Sequence, residues 1–194
     1  MKNIILASAS PYRQQMLERL RLPFSVVPAH IDESALPQET PAALAQRLAR
    51  QKAHHVAKKH PGAVVIGADQ VAELDGHSLG KPGTHEAAVQ QLQRMSGQTV
   101  YFHTALALCQ DNRHAERMLR VKARFRVLKH TEIEQYLRIE QPYDTAGSAK
   151  AEGLGIALLQ SMQSDDPTAI IGLPLIALCE LLRSFGIDPL ISAP

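Results

Sequence analysis

The stretch AVVIGADQV, residues 63–71, decides the fold. Its first five residues, 63–67, form an apolar, β-branched run that predicts a buried strand, and an acid, Asp69, follows at the end of that strand. In open α/β sheets, ligands bind beyond the carboxyl ends of the strands, so Asp69 is well placed as a metal ligand or a general base. The alternative is a structural Asx-type turn after the strand.

The segments on both sides of this strand alternate between strand and helix patterns. On the N-terminal side we expect strands at 3–7 and 24–28, and helices at 11–21 and 41–59. On the C-terminal side we expect a helix at 84–95, a hairpin of strands 98–108 and 115–128, a helix at 131–137, a strand at 168–172 and a helix at 174–185. The sequence does not decide whether the apolar segment 153–162 is a helix or a strand. The pattern predicts an α/β fold with a mixed, twisted sheet and flanking helices.

The composition limits the classes of protein that the chain can represent. Its 194 residues suit one domain, 1–194, and a hydrophobic share of 45% suffices for a packed core. Basic residues number 21 and acidic residues 19, a formal net charge of +2, and Trp is absent, which argues against binding to a nucleic-acid polymer. The apolar runs are too short for a membrane span, and the two cysteines form no disulfide or zinc pattern, so we expect a cytoplasmic protein.

Three segments are candidates for phosphate binding. Ser8 and Ser10 lie where a strand passes into a helix, and a helix N-terminus with Arg13 one turn inside binds phosphate well; an ordinary capped helix start is the alternative. Lys81 lies between a glycine and a proline, where it is suited to fix a phosphate, although an ordinary turn lysine fits the same pattern. Lys52 lies on a predicted helix, where a lysine is generally a solvated charge.

Two further segments carry carboxylates. The pair Asp32-Glu33 follows the second predicted strand, and paired carboxylates can hold Mg²⁺ or Mn²⁺; a solvated surface pair is the alternative. The glycine-containing segment 144–155 carries Glu152 and predicts either a tight loop that a ligand approaches or a structured surface loop. This segment lacks the third glycine of a dinucleotide-binding fingerprint.

The order of these segments along the chain is more specific than any one of them. The series runs Ser8-x-Ser10-Pro11-x-Arg13, Asp32-Glu33, Lys52-Ala53, Gly67-x-Asp69-x-Val71, Gly80-Lys81-Pro82, Ala146-Gly147 and Gly172-Leu173-Pro174. It resembles the Maf family of nucleotide pyrophosphatases from residue 4 to about residue 186. The resemblance implies a fold similar to the inosine-triphosphate pyrophosphatases, with two lobes around a cleft, and a homodimer. It also implies hydrolysis of a nucleoside triphosphate to the monophosphate and pyrophosphate, with a divalent cation (Mg²⁺ or Mn²⁺) as cofactor.

Three residues depart from the commonest pattern of the family. Tyr12 stands where most members have Arg, Gln70 follows Asp69, and the glycine loop carries Glu152, a combination that resembles the YceF-type branch linked to 7-methyl-GTP. A 7-methylguanine ring is cationic, and the face of Tyr12 would attract it by ~0.5–2 kcal/mol. Glu152 would accept hydrogen bonds from guanine N1–H and N2–H₂, which thymine does not offer, and Gln70 would bind another base edge.

The resemblance also implies roles for the remaining candidates around the triphosphate. Arg13, Lys52 and Lys81 would hold phosphate oxygens and stabilise the leaving pyrophosphate, with Ser8 and Ser10 at the helix N-terminus. Glu33 would bind the cation together with Asp69. Asp69 is the expected general base that orients water onto the α-phosphorus; the alternative assigns water activation to the cation, with Asp69 only its ligand.

Two other functions fit the same residues. One is a broader house-cleaning pyrophosphatase that acts on UTP, CTP or dTTP. The other is a nucleotide-binding regulator of cell division without turnover. An acid at a strand end beside three cations favours an enzyme with a small nucleotide substrate, because a pure binder does not need the acid.

Overall fold

The computed structural model describes residues 3–192, in which helices and strands alternate along most of the chain. The strands are β1 (Ile4–Leu6), β2 (Ser25–Val26), β3 (Val64–Leu74), β4 (His77–Leu79), β5 (Thr99–Gln110), β6 (Arg113–Phe125) and β7 (Leu159–Gln163). The α-helices are α1 (Pro11–Glu18), α2 (Pro41–Ala57), α3 (His85–Met95), α4 (His130–Glu140), α5 (Leu175–Ser184) and α6 (Pro189–Ser192). Short 3₁₀ helices span Ala146–Ser148, Leu154–Leu158 and Ala169–Ile171.

The strands form one seven-stranded mixed sheet, which confirms the predicted fold class. Its order is β2-β1-β3-β5-β6-β7, with β4 added beside β3. β1 runs parallel to β2 and β3, whereas all the other pairs are antiparallel. The predicted hairpin is the pair β5–β6, which joins Thr99–Gln110 to Arg113–Phe125 through a two-residue turn.

Two hydrophobic cores lie at opposite ends of the long strands and define two lobes. In the first lobe, α1 and α5 pack on β1 and on the adjacent half of β3, and Phe185 is the largest fully buried side chain there. In the second lobe, α3 and α4 pack on the far halves of β3, β5 and β6 around Phe125. A third cluster holds α2 against the opposite face of β3 and β5. The cleft lies where the lobes meet.

One edge of β3 is interrupted, and this gap positions the cleft. Residues 64–66 of β3 pair with β1, and residues 72–74 pair with β4. Because β5 occupies the other edge along residues 65–73, β1 and β4 share one edge and leave residues 67–71 between them without a strand neighbour there among the described residues. The side chains of Asp69 and Gln70 therefore lie in the middle of a long strand beside an opening in the sheet.

The structure corrects two expectations from the sequence and adds two strands, β4 and β7, that the sequence did not predict. The strand predicted at 63–67 continues to Leu74, so Asp69 lies inside the strand and not at its end. The strand predicted at 168–172 is wrong, because a 3₁₀ helix closed by i→i+3 bonds occupies 169–171 and Gly172 follows with φ +104°. The short strand β4 was not anticipated, and the open segment 153–162 divides into a 3₁₀ helix and β7.

Within residues 3–192, no helix is both long enough and apolar enough to cross a membrane.

Candidate active site

The phosphate-binding candidates lie where β1 passes into α1. Ser10 caps α1, its hydroxyl accepting the N–H of Arg13 at 3.4 Å, while the buried Ser8 hydroxyl accepts the N–H of Ser10 at 3.2 Å. The Arg13 guanidinium donates to Ser8 Oγ at 3.3 Å and, through Nε, to the carbonyl oxygen of Gly172 at 3.0 Å. Burial lowers the pKa of Arg13, and the charges of Asp69 and Glu33 oppose that shift. A guanidinium still stays charged at neutral pH, so this corner is fixed and cationic.

Lys52 forms ion pairs with two of the acidic residues expected in the site, Asp69 and Glu33. Its Nζ lies 2.6 Å from Asp69 Oδ1 and 2.7 Å from Glu33 Oε1. Lys52 and Asp69 are only 6% and 7% exposed, whereas half of the Glu33 side chain is exposed. Lys52 is thus a buried ion-pair partner in the middle of α2, not the solvated helix lysine that is the ordinary case.

The closeness of Lys52 to Asp69 depends on small residues where α2 crosses β3. A Cβ at Gly67 would lie 2.2 Å from the carbonyl oxygen of Ala49 and 2.7 Å from the nitrogen of Ala53. Only glycine permits this approach of helix to strand. The sequence of the strand therefore sets the distance between the lysine and the aspartate.

Glu33 and Lys81 complete the charged part of the cleft. Partial burial opposes ionisation of Glu33, but its hydrogen bond to Lys52 and the charges of Lys81 and Arg13 bring its pKa below the ordinary value. Lys81 is exposed on the loop between β4 and α3 and lines the cleft. Asp32 does not take part, because its carboxylate accepts the N–H of Ser34 on the exposed loop at 2.9 Å.

All ten site residues expected from the sequence line one cavity of about 540 Å³. They are Ser8, Ser10, Tyr12, Arg13, Glu33, Lys52, Asp69, Gln70, Lys81 and Glu152. Six separate segments of the chain supply them, and both lobes contribute. Small and apolar residues also line the cavity, among them Ala146, Ala149 and Ile170.

The three residues expected to select the base have distinct surroundings. Gln70 donates its amide hydrogens to Thr104 Oγ1 and to the carbonyl of Ala169, both at 2.8 Å, so its amide oxygen is the group left for a ligand. The Tyr12 ring lies beside a lysine ammonium from the second lobe. Desolvation raises the pKa of Glu152, and two nearby carboxylates add to that shift.

Asp166 is a residue of the site's framework that the sequence analysis missed. It is 1% exposed; one carboxylate oxygen accepts the N–H and hydroxyl of Thr168, and the other accepts the N–H groups of Ile176 and Ala177 at the start of α5. These bonds fold the segment that presents the Gly172 carbonyl to Arg13. The sequence signal was available, since Asp followed two positions later by Thr is typical of a side-chain-capped turn.

The donor set fits a divalent cation that takes the rest of its ligands from a substrate. Beside Lys52 the site offers two carboxylates, Glu33 and Asp69. Within the described residues no cluster of three or more His, Cys, Asp or Glu suited to a metal occurs. Mg²⁺ is commonly held by one or two carboxylates together with substrate phosphates and water. Lys52 lies between the two carboxylates and balances part of their negative charge.

A comparison with solved structures gives a distant likeness. A nucleoside-triphosphatase (dITP/XTP pyrophosphatase) from Mycobacterium abscessus is 18% identical, with a TM-score of 0.41, over 65% of this chain and 75% of that chain.

Sequence comparisons are far closer. Proteins named 7-methyl-GTP pyrophosphatase from Polaromonas sp. and Bordetella avium are each 57% identical to this chain. The match covers 95% of this chain and 85% of the Polaromonas protein, and 96% and 95% in the Bordetella case. The family model described as Maf-like protein matches residues 3–185. The chain belongs to the Maf-like protein family.

Proposed function

We propose that this protein is a nucleotide pyrophosphatase that hydrolyses 7-methyl-GTP to its monophosphate and pyrophosphate. The observation that carries the proposal is the Lys52 ammonium held between Asp69 and Glu33 in a cavity that also contains Arg13 and Lys81. The names of the relatives, 57% identical over nearly the whole chain, support the same reaction and the same substrate.

The cationic end of the cavity suits a triphosphate. Arg13, Lys52 and Lys81 supply three positive charges, and Ser8 and the N-terminus of α1 add hydrogen-bond donors. Phosphoryl transfer depends chiefly on positioning and on neutralising charge on the phosphate oxygens. We assign these residues to binding the phosphates and to stabilising the departing pyrophosphate.

Asp69 is the proposed general base. Its Oδ1 accepts a hydrogen bond from Lys52, which fixes the carboxylate in the opening of the sheet and leaves Oδ2 able to take a proton from water. That water attacks the α-phosphorus, and the bond between the α-phosphorus and the bridging oxygen breaks. The alternative, in which Asp69 serves only as a metal ligand, predicts a different response to the metal, described below.

Glu33 and Asp69 are the proposed ligands of the divalent cation, Mg²⁺ or Mn²⁺. When bound, the cation would neutralise charge on the phosphate oxygens. The partly exposed position of Glu33 at the mouth of the cleft lets it meet a cation that arrives with the nucleotide.

Residues from both lobes would bind the base. Glu152 would accept the N1–H and N2–H₂ groups of guanine, and the amide oxygen of Gln70 would accept another donor. The ring of Tyr12 would attract the positive charge of the methylated ring. Replacing Tyr12 by Arg, Gln70 by Thr and Glu152 by Gln should move the substrate ranking toward pyrimidine triphosphates; an unchanged ranking would contradict these roles.

The central test is pyrophosphate release by Asp69→Asn. We expect a loss of turnover of roughly 10²–10⁴-fold with nucleotide affinity largely kept, because the amide cannot take a proton. Asp75→Asn, in the exposed turn between β3 and β4 at a positive φ that Asn tolerates, is the matched control and should retain full turnover. A mere change in the metal concentration needed by Asp69→Asn, with turnover restored at saturation, would favour the ligand role.

The same assay separates the alternatives. Faster hydrolysis of UTP, CTP or dTTP than of 7-methyl-GTP by the unmodified protein would favour the broader pyrophosphatase. Binding of nucleotides without release of pyrophosphate would favour a regulator.

Three further expectations stay predictions. We propose a single domain spanning 1–194, which the continuation of β3, β5 and β6 through both cores supports. We also propose a cytoplasmic location and a homodimer. Cell fractionation tests the location, and sedimentation tests the oligomeric state.

A further inference from the structure

Lys150 connects the two lobes close to Tyr12, one of the residues that line the cavity. Its ammonium nitrogen lies 5.7 Å from the centre of the Tyr12 ring, which belongs to α1 in the first lobe. The same nitrogen donates a hydrogen bond of 2.9 Å to the carbonyl oxygen of Glu140, the last residue of α4 in the second lobe. The C-terminal end of a helix is a favourable place for a cation, because the last carbonyl oxygens carry partial negative charge.

The main chain of Lys150 is fixed from several sides. Its N–H donates to the hydroxyl of the buried Tyr136 at 3.0 Å, and its carbonyl accepts the N–H of Gly153 at 3.1 Å. A Cβ at Gly155 would lie 2.4 Å from that carbonyl oxygen, so the loop turns tightly around this residue. The position of the ammonium group is thus set by the fold and not by a mobile surface side chain.

Three carboxylates act on Lys150 or its neighbourhood: Asp144 and Glu152, which line the cavity, and Glu140 at the end of α4. Burial alone would lower the pKa of Lys150, but the nearby Tyr12 side chain and the charges of Asp144 and Glu140 raise the pKa overall. In turn, Lys150 opposes the rise in the pKa of Glu152 that desolvation, Glu140 and Asp144 cause. Lys150 therefore favours the ionised form of Glu152, which is the form that accepts hydrogen bonds.

We propose that Lys150 is a positioning residue for substrate selection, whose ammonium group ties Tyr12 to the loop that carries Glu152. This inference rests on the proposed function, since it deepens the account of base recognition. Lys150 itself acts through Tyr12 and Glu152. It favours a base that offers N–H donors, and it has no effect on the phosphate end, where Arg13 and Lys52 lie.

The test compares Lys150→Met, Lys150→Arg and the control Lys122→Met, an exposed lysine on β6. For Lys150→Met we expect kcat/KM for 7-methyl-GTP to fall about tenfold, the size of one charge-assisted hydrogen bond, mainly through KM. We expect kcat/KM for UTP and inhibition by inorganic tripolyphosphate, which has no base, to change less than about twofold. Lys150→Arg should recover most of the loss, and Lys122→Met should match the unmodified protein.

A urea-unfolding cycle of Tyr12→Leu and Lys150→Met, in which the first variant removes the aromatic ring and the second the ammonium group, gives a second readout that needs no turnover. We expect the double variant to lose less stability than the two single variants together, because each removes the same contact. Additive losses would overturn the contact between the two side chains. Equal losses on 7-methyl-GTP, UTP and tripolyphosphate would overturn the selective role. Absence of turnover by the unmodified protein would overturn the proposed function and the selective role with it, while the unfolding cycle would still decide the contact.

Discussion

Replacing Gly67 by Ala should damage the active site by pushing helix α2 away from strand β3. The added Cβ would lie 2.2 Å from the carbonyl oxygen of Ala49, whereas ordinary carbon–oxygen contacts are about 1 Å longer. The atoms that the added Cβ would clash with belong to the main chain of a 17-residue helix, so no side-chain rotation relieves the clash. The helix must move as a body by about 1 Å.

Two consequences follow from a displacement of that size. Overpacking of this kind typically costs ~1–3 kcal/mol in the free energy of unfolding. Because Lys52 lies on the displaced helix and Asp69 on the strand, their 2.6 Å contact would lengthen, and a misplacement near 1 Å costs on the order of 10²-fold in rate. Gly67→Ala should therefore lose turnover well beyond what its loss of stability explains.

Urea unfolding and pyrophosphate release, measured on the same preparation, test this reasoning. The control for stability is Gly80→Ala, where the added Cβ meets no atom within 4 Å and φ is not positive; we expect its stability to stay equal or to rise by ~0.4–1 kcal/mol. A Gly67→Ala variant with unmodified turnover would refute the claim that this glycine sets the position of Lys52.

Two other predictions concern stability. Asp166→Ala should lower the free energy of unfolding by about 3 kcal/mol or more in urea titrations, because buried N–H groups at the start of α5 lose their acceptor; Asp165→Ala, its neighbour, should change it by less than about 0.5 kcal/mol. The hydrogen bonds from Arg47 lower the pKa of Glu39 from 4.5 to about 2. The contribution of this ion pair to the stability of the fold is therefore complete above pH 4.5 and is lost as the pH falls toward 2. The stability difference between the unmodified protein and Glu39→Gln should shrink over that range, and a difference independent of pH would contradict it.

Local patterns in the sequence predicted most of the helices and the central hairpin. Ser10, Thr40 and Thr84 each cap a helix through the side chain, as expected from their position before Pro or a helical pattern. The strand predicted at 168–172 is wrong, and its basis was the strand preference of Ile170 and Ile171. The segment is instead held by Asp166, whose carboxylate accepts the main-chain N–H and the hydroxyl of Thr168. Because Asp166 lies outside residues 168–172, the pattern of those five residues alone does not reveal this.

The candidate site could be gathered from the sequence only as a set of residues, not as a geometry. That Asp69 lies in the middle of a strand follows from β1 and β4 sharing one edge of β3, a pairing between segments far apart in sequence. The distinction between Lys52 and the exposed Lys58 and Lys59, which follow the same helix, depends on the close crossing at Gly67. Neither the pairing of β1 and β4 along β3 nor the distance between α2 and β3 can be recognised from a local pattern in the sequence.

The bond between Arg13 and the carbonyl of Gly172 joins positions 159 residues apart, and this has a consequence for biosynthesis. Closing a chain segment of that length costs about 4 kcal/mol or more in entropy, so the contact forms only after the intervening strands have been assembled. A nascent chain still attached to the ribosome has its first serines and Arg13 exposed long before Gly172 is made. Nucleotide capture should therefore begin only after the segment around Gly172 has been made and has folded against Arg13.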